Sequence, residues 1–84
     1  MTKIDKLKIR LLGVPTDFTW DELTKLLASM GYREFQKGKT SGSRVSFIHK
    51  TYSMINLHKP HNPPVLRKYQ VKQIIQQLQD EGLL

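Results

Sequence analysis

Apolar positions recur at two different spacings along this chain of 84 residues, and the change of spacing divides it. Ile4, Leu7 and Leu11 stand at helical intervals and run into Gly13, Pro15 and Asp17, a breaker cluster, which predicts a short helix over Ile4 to Leu12. A stronger start signal follows. Thr19 with Glu22 three residues on forms a capping box, and Phe18 and Leu23 occupy the two positions of a hydrophobic staple. Trp20, Leu23, Leu26, Leu27 and Met30 then make one apolar stripe, with Gly31 placed to stop the helix. Membership of that stripe reads Trp20 and Met30 as core residues rather than a ligand-facing pair.

From Tyr32 the period shortens to two. "YREFQ", "RVSFIH" and "SMINLH" are rich in aromatic and β-branched residues and are separated by "KGKTSGS" and "KTY", which predicts a three-stranded antiparallel meander. Val45 and Phe47 should share one face, Ser46 and Ile48 the other. In the third run His58 should lie on the face of Asn56, away from Leu57. The prolines of "KPHNPP" cannot continue a central strand, so this is a stiff crossing loop. Beyond it Val71, Ile74, Ile75 and Leu78 predict an amphipathic helix from about Lys68 to Asp80, stopped at Gly82, with Tyr69 covering the sheet edge. The expected architecture is α+β, in the order α-α-β-β-β-α. With no repeat, low-complexity tract or dividing linker, residues 1–84 read as one domain with one core.

Charge changes this picture. Fourteen Lys and Arg against seven Asp and Glu give a formal net charge of +7, and a pI near 9.9 fits a polyanion binder. Phe35 through Gln79 contains no acidic residue, yet carries Lys37, Lys39, Arg44, Lys50, Lys59, Arg67, Lys68 and Lys72 together with every histidine. This points to nucleic acid; a basic surface serving solubility is the plainer alternative. The absence of cysteine excludes disulfides and thiolate metal sites and is compatible with the cytoplasm. No signal peptide and no apolar run long enough for a membrane span is present, so no membrane partner is expected.

"INLHKPH" concentrates the candidate chemistry. His58 and His61 have the spacing of half a zinc site, but cysteine is missing and the basic window offers no carboxylate to complete a tetrahedral shell. No metal and no other cofactor is therefore expected. Two readings remain: histidines that cap loop carbonyls or face water, and imidazoles performing general acid/base chemistry near neutral pH. In a metal-free ribonuclease a base takes the 2′-hydroxyl proton, an acid protonates the leaving 5′-oxygen, and cations stabilise the phosphorane between. Arg44 and Lys59 have the right type for the last task. "KGKTSGSR" lacks P-loop spacing and is either a basic phosphate-contacting hairpin or a solvated turn.

Taken in order, "TWDELTKLLASMGYRE", "GSRVSF", "INLHKPH" and "YQVKQIIQQL" resemble the HicA (YcfA-like) family of small bacterial messenger-RNA interferase toxins, over about Phe18 to Leu83. The resemblance implies a double-stranded-RNA-binding-domain-like fold, with a three-stranded antiparallel sheet packed on helices. It also implies metal-independent endoribonuclease activity on messenger RNA, growth inhibition, and neutralisation by a HicB-type antitoxin. The family's usual motif is Gly-Ser-His at the start of the second strand, whereas this chain reads Gly42-Ser43-Arg44. Arginine does not exchange a proton near neutral pH.

The expectation is therefore that the catalytic imidazole has moved to His58, with His61 as its partner or a substrate contact. Arg44 and Lys59 would stabilise phosphate, and Lys37, Lys39, Lys50, Arg67 and Lys68 would supply RNA affinity. His49, on the second strand, is a competing imidazole. Two other functions stay open at this level: a non-catalytic RNA-binding module of the same fold, and a protein-interaction subunit whose basic face docks an acidic partner.

Overall fold

The computed structural model describes residues 3–35, 44–60 and 63–84. Its elements are α1 (Lys3–Leu12), α2 (Trp20–Ser29), β1 (Arg33–Phe35), β2 (Arg44–Ile48), β3 (Ile55–His58) and α3 (Lys68–Asp80). This is the α+β order expected from the sequence. The strands form one antiparallel sheet in the order β1-β2-β3.

Helix ends follow from local chemistry. Thr19 Oγ1 accepts the Glu22 amide at 3.1 Å and Glu22 Oε1 accepts the Thr19 amide at 3.0 Å, so the predicted capping box is formed. At the other end of α2 the Gly31 amide donates to Ala28 O and the Tyr32 amide to Leu27 O, both at 3.0 Å. This is a Schellman motif, which needs the left-handed conformation that Gly31 adopts at φ +95. α3 ends the same way on Gly82, with Leu83 N–H donating to Leu78 O at 2.8 Å.

The alternation read in the strands decides which face is inside. Val45, Phe47, Ile55 and Leu57 are buried against Leu23, Leu26, Leu27, Val71, Ile74 and Leu78 of the helices. Trp20 belongs to this core, its ring centroid 5.5 Å from that of Phe47 and its Nε1 donating to Glu34 at 3.2 Å. Met30 packs half-buried at the margin. α1 lies against α2 and α3, seating Leu11. Arg10 clasps the junction, holding Glu22 at 3.0 Å and Asp17 at 2.9 Å.

Two connections place the start of α3. Trp20 N–H donates to Pro64 O at 3.0 Å and Leu66 N–H to Phe18 O at 2.8 Å, pairing the segment before α3 with the segment before α2. α3 then runs along the outer edge of β3. Side-chain amides of Gln70, Gln73 and Gln77 donate to the carbonyls of His58, Asn56 and Met54 at 2.9, 3.4 and 2.8 Å. Helix rises of about 4.5 and 6 Å between those glutamines run beside strand steps of about 6.6 Å, a mismatch that flexible amides bridge. The edge strand is thus protected by glutamine donors. Tyr69, expected to cover that edge, does not; it is 62% exposed. As the second residue of α3 it precedes the face that meets the strand.

Candidate functional site

Arg44 opens β2 and His58 closes β3, and the antiparallel register makes them direct partners. Partners in register share a face, so both point away from the core, as their exposure confirms. Ser46 and Asn56 are the next pair along that face, joined by a hydrogen bond from Ser46 Oγ to Asn56 Oδ1 at 2.6 Å. Beside them is an open cavity of about 360 Å³ whose lining includes Arg44, Asn56, His58, Tyr69, Gln70 and Gln73, with Leu57 as its aliphatic member. Neither β2 nor β3 contains a carboxylate. The cavity therefore presents a guanidinium, an imidazole and amides, a set suited to an anionic, hydrogen-bonding ligand.

Gln70 fixes the backbone under His58. It is 4% exposed, its Oε1 accepts the Arg67 amide at 2.9 Å to cap α3, and its Nε2 donates to His58 O at 2.9 Å. One amide therefore joins the helix start to the strand end. Nothing in the sequence reading singled it out, although a glutamine at the third position of a helix carries a capping signal.

His49 lies at the other end of the sheet, roughly 16 Å along β2 from Arg44 at ~3.3 Å per residue. Its Nε2 is 3.0 Å from Met30 O, while Nδ1 accepts the Thr51 and Tyr52 amides at 2.9 and 3.3 Å. A carbonyl can only accept, so the ring proton sits on Nε2. Tyr32 and Tyr52 flank the ring at centroid distances of 5.0 and 4.6 Å. Both nitrogens serve backbone partners, and the ring is a structural joint between the end of α2 and the β2–β3 turn.

The expected cations are distributed unevenly. Lys59 follows His58 but turns toward another cavity, its Nζ 6.0 Å from the Trp20 ring centroid. Arg67 and Lys68 are exposed at the start of α3, the same end of the molecule as Arg44 and His58. Lys50 is exposed next to His49, at the far end. Lys37, Lys39 and His61 lie outside the described residues.

Among the described residues no three His, Cys, Asp or Glu side chains gather as a metal site, and no helix is long and apolar enough to cross a membrane. No curated protein and no solved structure matches the chain. The family described as "HicA toxin of bacterial toxin-antitoxin" matches residues 20–79, from the first residue of α2 almost to the end of α3, leaving α1 and its Arg10 clasp outside the match. With the sheet and both flanking helices inside that span, this chain belongs to the HicA toxin family.

Proposed function

We propose that this toxin is an endoribonuclease that cuts single-stranded messenger RNA without a metal, using His58 where the family uses the residue at the position of Arg44. The observation that carries the reading is the register pairing of Arg44 with His58 on the open face of the sheet. It puts an imidazole beside the family's usual catalytic position, across one strand spacing.

The reaction is a transesterification. His58 takes the proton of a 2′-hydroxyl, the 2′-oxygen bonds to the adjacent phosphorus, and the bond to the 5′-oxygen breaks. His61 returns a proton to that oxygen, leaving a 2′,3′-cyclic phosphate and a 5′-hydroxyl. The guanidinium of Arg44, fixed in charge, stabilises the extra negative charge on the phosphorane. Gln70 holds the strand end that carries His58. Arg67 and Lys68 line the approach to this end and hold flanking phosphates, joined by Lys59, Lys37, Lys39 and Lys50 as contributors to a salt-dependent RNA affinity.

Toxin–antitoxin membership calls for a neutralising partner, and the reading assigns a HicB-type antitoxin acting in the cytoplasm, where messenger RNA is translated. Induction of the chain in a bacterial host tests both halves. Growth arrest with loss of full-length messenger RNA, reversed by co-expression of a HicB-type antitoxin from the same operon, is the expected result. Arrest with intact messenger RNA would overturn the ribonuclease reading.

A further inference from the structure

Tyr69 is the aromatic member of the Arg44–His58 cavity. The residue is 62% exposed, on the first turn of a helix whose apolar stripe is Val71, Ile74, Ile75 and Leu78. It contributes little to the core. Its backbone is nevertheless well fixed, because the next residue, Gln70, both caps α3 and holds the carbonyl of His58. An exposed aromatic ring held at the rim of a cationic cavity is how proteins grip unpaired bases, by stacking.

Asn56 and Gln73 add polar atoms to the same cavity. Asn56 Oδ1 accepts from Ser46, which leaves its NH₂ as a donor, and Gln73 gives its NH₂ to Asn56 O, which leaves its Oε1 as an acceptor. A donor and an acceptor beside an aromatic face match the edge and the face of a nucleobase.

We infer that this cavity is a nucleobase subsite, in which Tyr69 stacks on an unpaired base flanking the scissile phosphate while Asn56 and Gln73 meet its edge. This inference rests on the ribonuclease reading and deepens it: cleavage should depend on an unstacked base next to the cut. Tyr69 acts on substrate hold and position, and the proton transfers stay with the histidines.

The test compares the full-length chain with Tyr69→Ala, Tyr69→Phe and Tyr69→Trp on a short single-stranded oligoribonucleotide whose cleaved phosphate has been mapped. The same oligonucleotide is then made with an abasic nucleotide on either side of that phosphate. Tyr69→Ala should raise KM roughly tenfold or more with kcat little changed, while Phe and Trp retain the wild-type value. An abasic nucleotide on one side should cost wild type a similar factor and cost Tyr69→Ala nothing further. With a 2′-deoxy oligonucleotide that cannot be cut, Tyr69→Trp should show fluorescence quenching absent from wild type, whose Trp20 is 2% exposed. Wild-type kcat/KM for Tyr69→Ala on an RNA that wild type cleaves would overturn the subsite while leaving the ribonuclease reading intact. Equal losses for Ala and Phe would also overturn it, since the hydroxyl and not the ring would then matter. Failure of wild type to bind or cut any RNA would remove both.

Discussion

Arg44 and His58 face each other across β2 and β3, with Cβ atoms expected about 5 Å apart for directly opposed residues. Neither strand supplies a carboxylate to either side chain. An arginine opposite an imidazole gains little from its neighbour and keeps its donors for an anion. If the pair serves a phosphate, Arg44→Ala should lower cleavage about 10²-fold, the scale of losing one transition-state donor. Arg44→Lys, which keeps the charge but not the fork, should lose less. Single-turnover rates on one RNA check both.

The register also permits an exchange. Arg44→His combined with His58→Arg restores the family's Gly-Ser-His sequence and leaves the same two groups facing each other. The double variant should cut RNA faster than either Arg44→Ala or His58→Ala. Inactivity of the double variant with its fold retained would show that the strand carrying the imidazole matters.

Gln70 carries a stability prediction. Gln70→Ala removes the α3 cap and the bond to His58 O, leaving buried polar groups unpaired, and should cost about 1–3 kcal/mol in denaturant unfolding. Gln70→Glu keeps the cap acceptor and loses the donor to His58, so its stability should lie between the two. RNA cleavage should fall in both variants.

Tyr32 gives the chain a pH dependence at the alkaline end. Burial, then Glu81, then Tyr52 raise its phenol above the ordinary value of 10.0. The unfolded chain therefore releases this proton at a lower pH than the folded one. Stability contributed by the neutral phenol is complete below pH 10.0 and declines as pH rises from there through the folded value. Absorbance titration should show a phenol with a delayed midpoint that is missing in Tyr32→Phe, and the decline in stability should weaken in that variant.

His49 and Gly31 test the structural joint. A Cβ on Gly31 would lie 2.7 Å from His49 Nε2, and its φ of +95 disfavours any other residue. Gly31→Ala should destabilise by about 1–3 kcal/mol. His49→Ala should likewise lower the unfolding midpoint, whereas loss of cleavage at unchanged stability would give His49 a part in the chemistry.

The helices and strand faces were legible because each is set by local periodicity and caps: Thr19 and Glu22 bond as their spacing predicts, and His58 shares the face of Asn56. The pairing of Arg44 with His58 was only half legible, since alternation gives the face of each strand but register depends on the intervening turn. Tyr69 and the glutamines were misread or missed for a related reason. Whether Tyr69 covers the edge depends on how α3 rotates about β3, and that rotation is set by Gln70, Gln73 and Gln77, polar residues invisible to a hydrophobic pattern. The placement of Lys59 over Trp20 rather than beside His58 also comes from tertiary packing.

The most direct test is incubation of the purified chain and of His58→Ala with single-stranded RNA in EDTA, followed by analysis of the product ends. His58 is exposed, so its replacement should leave the fold intact. The account predicts 2′,3′-cyclic phosphate and 5′-hydroxyl ends from wild type, and a rate lower by about 10²-fold or more in His58→Ala. Intact RNA with wild type, or equal rates for the two proteins, would contradict it.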